Sequence, residues 1–236
     1  MNKQKRPYFS KRDERRKGPP LGRPAPYIRE RPTILIVCEG MNTEPSYFNR
    51  FKLPFASVRS VGEGYNTISL VERAKVLSKR RWWKKKGRQF DQVWCVFDAD
   101  IDPEHPKQAQ NFNEAILKAK EYGFNVAYSN QAFEYWLILH FEDHDGTPMH
   151  RNLYNNRINE HLEEFGTYYD GIKRKQISEA FFAILDGIDP RTRQPRYRLA
   201  IERARKIYNH YDHKDPAKEE SSTTVFRLVE ELLRYV

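Results

Sequence analysis

A chain of 236 residues with 39% hydrophobic residues and a net charge of +10 is long enough for one globular unit with appendages. Its longest apolar runs, 34–38 and 135–139, fall well short of the roughly 20 residues a membrane helix needs. No apolar signal segment opens the chain either, so we expect a cytoplasmic protein that does not enter a membrane. The only cysteines, Cys38 and Cys95, lie inside apolar runs, which excludes a disulfide framework or a cysteine zinc site and predicts two buried thiols.

Residues 1–31 hold 11 Lys+Arg against 3 Asp+Glu and supply +8 of the net charge. Rich in Pro and Gly, this stretch cannot bury enough apolar surface to offset its ordering entropy and reads as a disordered basic arm. Such arms contact phosphates or simply remain solvated.

The run Thr33–Cys38, ending in Glu39-Gly40, predicts a buried parallel strand. Thr43-Glu44-Pro45 opens a helix to about Lys52, with Thr43 as N-cap and Pro45 in the first turn. Ser57–Val61 reads as a short strand, and Asn66 caps a helix that runs to about Lys86. Gln92–Asp98 is a third strand, Asn111–Tyr122 an amphipathic helix closed by Gly123, and Asn125–Ser129 a fourth strand. Ala132–Phe141 reads as an apolar core helix. The alternation predicts an α/β fold, a mostly parallel, Rossmann-like sheet flanked by helices, over residues 32–142. From 143 to 236 helices are expected at 150–186, 197–211 and 222–235, a helical C-terminal extension packed on the same core.

Two strands end in acid: Glu39-Gly40 after the first, Asp98-Ala99-Asp100 after the third. Open α/β sheets bind ligands at the carboxyl ends of their parallel strands. In an extended segment Asp98 and Asp100 point the same way, ~6–7 Å apart. Carboxylates that share one site repel unless a cation neutralises them, and hard oxygen ligands suit Mg²⁺.

The paired strand-Glu-Gly and strand-Asp-x-Asp pattern resembles the Toprim domain of topoisomerases, primases and several nucleases. More narrowly, the chain resembles the RloB family, which includes lactococcal-type abortive-infection components. The shared segments are Cys38-Glu39-Gly40, Thr43-Glu44-Pro45-Ser46-Tyr47-Phe48, Phe97-Asp98-Ala99-Asp100, Ser129-Asn130, the stretch Phe133–Phe141 and Ser222-Thr223-Thr224-Val225. The resemblance covers about residues 33–236, and the chain departs from the pattern at Met41 and Gln131-Ala132. The resemblance implies Glu39 as general acid/base or metal ligand, and Asp98 and Asp100 as ligands of Mg²⁺ (or Mn²⁺). It also implies antiphage defence, cleavage of RNA (tRNA included) or DNA, and an ATPase partner.

Further candidates have ordinary structural alternatives. Glu44 suits a second metal ion, or the positive end of a helix. Glu134 begins an apolar helix and either completes the site or pairs with a buried partner. Asn130 is a candidate phosphate or water ligand beside it. His140 reads as a core histidine rather than a base. Lys79, Arg80, Arg81, Trp82, Trp83, Lys84, Lys85, Lys86 and Arg88 form an acid-free basic cluster with interleaved tryptophan, suited to RNA or DNA contact or to a solvated helix end. The leading expectation is a metal-dependent nuclease with Glu39, Asp98, Asp100, Glu44 and Glu134 at its centre. The rivals are a nucleotidyl-transfer enzyme and a non-catalytic module that docks nucleic acid or an ATPase.

Overall fold

The strands are β1 (Ile34–Cys38), β2 (Ala56–Ser60), β3 (Gln92–Asp98) and β4 (Asn125–Ser129). They form one parallel sheet in the order β2-β1-β3-β4. This computed structural model describes residues 32–60, 67–79, 89–101, 104–105 and 107–236. The basic arm and residues 80–88 of the Lys/Arg/Trp cluster lie outside the described residues; Lys79 is exposed at the end of a helix.

β1 and β3 are buried almost throughout because both faces of the sheet are covered. Side chains alternate between two cores, as a strand's period of two requires. Ile34, Ile36, Trp94 and Val96 enter one core, while Leu35, Val37, Cys95 and Phe97 enter the other. The second core is closed by α2 (Thr67–Ser78) and α3 (Lys107–Glu121), which supply Leu70, Val71, Phe112 and Ile116. The first is larger. It takes Tyr47 and Phe48 of α1 (Thr43–Asn49) and all of Tyr135–Leu139 around α4 (Glu134–Ile138). It also takes apolar residues of α5 (Tyr154–Leu162), α6 (Glu179–Asp186), α7 (Arg196–Tyr208) and α8 (Val225–Leu233). The fold is therefore α/β and Rossmann-like, with the later helices sharing the core of one sheet face. Cys38 and Cys95 are free and buried. Among the described residues no helix is long and apolar enough to cross a membrane.

Several local expectations change. Thr43 does not cap α1; Asn42 precedes the helix without a side-chain cap, and the Thr43 hydroxyl donates to the Lys175 carbonyl at 3.0 Å instead. The helix expected over 150–186 is interrupted. A 3₁₀ turn, Arg151–Leu153, leads into α5, and a second, Glu163–Phe165, ends at Gly166 with φ 64°. A loop then runs to Ser178, whose side chain accepts the Phe181 N–H and starts α6. Residues 222–224 are not helical. Thr223 bridges Ser129 antiparallel, and Thr224 exchanges hydrogen bonds with Tyr128, so this segment covers the open edge of β4.

Candidate functional site

The order β2-β1-β3-β4 reverses direction between β1 and β3. At such a switch point the connections on either side diverge, leaving a crevice at the strands' carboxyl ends. Glu39 and Asp98 flank that crevice. The Glu39 N–H continues the ladder to the Val96 carbonyl at 2.9 Å, and Glu39 Oε2 accepts the Asp98 N–H at 3.3 Å. Asp98 Oδ2 accepts the Phe133 N–H, at 3.2 Å, from the turn leading into α4.

Glu44 reaches the same place from α1. It is 4% exposed, and its Oε1 accepts the Gly40 N–H at 3.0 Å. A Cβ at position 40 would collide with the Glu44 carboxylate, which is why glycine follows Glu39. Glu134, in the first turn of α4, accepts the Tyr169 hydroxyl at 2.7 Å and lies 3.5 Å from the Thr43 hydroxyl.

These carboxylates act on one another. Burial, together with the charges of Glu44, Glu134 and Glu39, drives the Asp98 carboxyl well above its ordinary range. Burial pushes Glu39 up to about 7, with Glu44 and Asp100 adding to the effect and the Asp98 N–H opposing it. Burial also raises Glu44, assisted by Glu134 and opposed by its backbone hydrogen bonds and by Lys175.

Asp100 is held differently. The strand ends at Asp98, and Asp100 takes a left-handed φ of 39°, so the extended geometry that would align the two carboxylates does not continue to it. Its side chain is exposed and ion-paired with Arg151, although its charge still reaches Glu39. Arg151 is fixed through its own N–H, which donates to Gln131 Oε1 at 2.7 Å. Arg151, Lys175 and Tyr169 all touch or face the acidic group, and sequence reading placed none of the three there. They come from loops and turns distant in sequence from the strand ends, and no local pattern marks them.

Other candidates have structural employment. Asn130 is buried, and its amide donates to the Pro216 carbonyl at 3.0 Å, securing the segment before α8. His140 is fully buried, with Nδ1 3.0 Å from the Trp136 carbonyl.

The donor set suits Mg²⁺ or Mn²⁺: it is all carboxylate, and its members raise one another's proton affinity, a penalty that a bound cation removes. Among the described residues, no three Asp, Glu, His or Cys side chains converge closely enough to enclose a metal by themselves. Mg²⁺ needs only one or two carboxylates, with waters and phosphate oxygens completing its shell.

Neither the curated proteins nor the solved structures contain a match to this chain. A family profile described as RloB-like protein does match, over residues 34–232. That span begins with the first residue of β1 and ends within α8, so it takes in the sheet, the acidic crevice and the helices that cover them, and the chain belongs to the RloB-like family.

Proposed function

We propose that this protein is a Mg²⁺- or Mn²⁺-dependent nuclease of the Toprim type that hydrolyses phosphodiester bonds in RNA, tRNA included, or DNA during antiphage defence. The observation that carries the reading is the meeting of Glu39, Glu44, Asp98 and Glu134 at the switch point, each within electrostatic reach of others, with Asp100 at the rim.

A divalent ion there supplies charge neutralisation of the phosphate and a more acidic water. Asp98 and Glu39 are the residues that would hold it, with Asp100 available once it leaves Arg151. Glu44 and Glu134 are fixed by the Gly40 N–H and the Tyr169 hydroxyl, so their charges stay directed at the crevice. Arg151 offers a planar cation to a phosphate oxygen. The basic arm and the 79–88 cluster add the sequence-independent attraction to nucleic acid that Lys and Arg provide. Membership of the RloB-like family supports the defence role; an ATPase partner is part of the same proposal.

The test is incubation of the full chain with a mixed panel of RNA and DNA, with and without Mg²⁺ or Mn²⁺. Cleavage should require the ion and fall by about 100-fold or more in Asp98→Ala and in Glu39→Ala, the scale of losing a positioned charged group. Cleavage that survives both substitutions would overturn the proposal.

A second reading rests on a different observation, the Asp100–Arg151 ion pair and, among the described residues, the lack of an enclosed three-ligand group. On that reading the chain is a non-catalytic module that docks nucleic acid or an ATPase. Salt-sensitive binding with no cleavage under any ion would select it.

A further inference from the structure

Beside the acidic crevice lies a cavity of about 410 Å³, bounded by the first turns of α5, the 171–175 loop and the start of α4. Glu134 forms the wall it shares with the crevice. Two cations face it, Arg151 and Lys175. Asn152 and Asn156 present amide groups on one side, and Ile172, 76% exposed, presents an apolar surface on another. Tyr154 also lines it. It is 1% exposed, and its hydroxyl is turned into the protein toward Ser221.

We propose that this cavity is a nucleotide subsite, holding one unstacked nucleotide of a single strand next to the phosphate that the acidic crevice acts on. The inference rests on the nuclease reading and names its substrate form. Each part of a nucleotide has a counterpart here. Arg151 and Lys175 meet the phosphate, the asparagine amides meet donor and acceptor edges, and Ile172 covers a base face.

The volume suits a ligand of nucleotide size, and an unstacked nucleotide offers its base face and edges to these side chains where a paired, stacked one does not. An acidic peptide fits less well, because a carboxylate chain offers no base face to Ile172 and few donors to the amides. The Arg151–Asp100 ion pair sits at the junction of cavity and crevice. A phosphate that draws Arg151 toward the cavity also frees Asp100.

The experiment is photo-cross-linking of short single-stranded RNA and DNA carrying 4-thiouridine or 4-thiothymidine to the full chain in chelator, where nothing is cut. Cross-linked peptides should map to residues 151–156 and 168–175. The dissociation constant should rise about tenfold in an Asn156→Ala/Lys175→Gln double variant that keeps the wild-type melting temperature, while Lys206→Glu stays within twofold. Cross-links confined to residues 1–31 and 79–88, or an unchanged affinity in the double variant, would overturn the subsite. Cross-linking in the cavity by a chain that cleaves nothing with Mg²⁺ or Mn²⁺ would support the subsite and discard the hydrolytic reading. Cleavage with no cross-link in the cavity would do the reverse.

Discussion

Asp98 accepts an N–H from Phe133 while facing the negative charges of Glu44, Glu134 and Glu39. In the metal-free chain its ionised form is therefore held at a loss, the pattern expected where function and stability conflict. Asp98→Asn keeps the shape and removes the charge. In chelator it should raise the urea midpoint, by the equivalent of about 1–2 kcal/mol. Adding Mg²⁺ should raise the wild-type midpoint and leave that of the variant unmoved. A variant less stable than wild type in chelator would show that the carboxylate is satisfied by its protein neighbours alone. Gly40 belongs to the same scale. Its place in the Glu39-Gly40 pair is plain in the sequence, but the reason, an approaching Glu44 carboxylate, needs the fold. The acidic residues could be found because strands ending in carboxylates are unusual and sit where sheets bind ligands. Arg151 and Lys175 could not, because isolated cations in loops look like any solvated surface.

At the level of elements, β3 and β4 match their expected bounds, since continuous apolar runs bounded by polar residues have few other uses. The later half was harder to read. Its apolar residues recur at helical spacing through 150–186, while Gly166 and the loop after it break the helix for reasons set by packing. The least legible element is the 222–224 edge, where Ser-Thr-Thr side chains replace regular pairing. Tyr128 shows what this edge does: its N–H donates to Thr224 Oγ1 at 2.9 Å, and its carbonyl accepts the Thr224 N–H at 2.8 Å. Both groups are buried. Thr224→Val preserves volume but leaves the Tyr128 N–H without its acceptor, a loss of about 1–3 kcal/mol. Because Ser129 and Asn130 follow directly, slower opening of β4 should be lost too. Amide hydrogen exchange at Tyr128 and Asn130 should accelerate by at least about tenfold, and unchanged protection would mean that the edge is held by α8 packing alone.

Over the whole molecule, two buried sets of titrating groups respond to pH in opposite senses. In the larger core, burial drives His140 down to about 3, with the charges of Arg203 and Arg196 acting in the same direction. Its Nδ1 is bonded to the Trp136 carbonyl and therefore carries the proton, leaving a neutral ring whose Nε2 has no partner. The unfolded chain protonates His140 near 6.5, so between about 3 and 6.5 it binds more protons than the folded chain. This contribution is complete above about 6.5 and is lost as pH falls toward 3. The acidic crevice works the other way. Glu39, at about 7, and Asp98 bind protons more readily folded than unfolded, so in chelator their terms favour the fold at low pH and fade as pH rises. The two sets partly cancel, and a single stability profile would separate neither. The comparison that isolates the histidine is wild type against His140→Asn, whose amide can still donate to the Trp136 carbonyl. The crevice terms are common to both chains and drop out of the difference. Between pH 7 and pH 5, wild type should lose about 2 kcal/mol relative to the variant, the product of 1.36 kcal/mol per unit and the distance below 6.5. Parallel urea-unfolding profiles over that range would place His140 in contact with water or with an acid, contrary to its burial beneath Trp136.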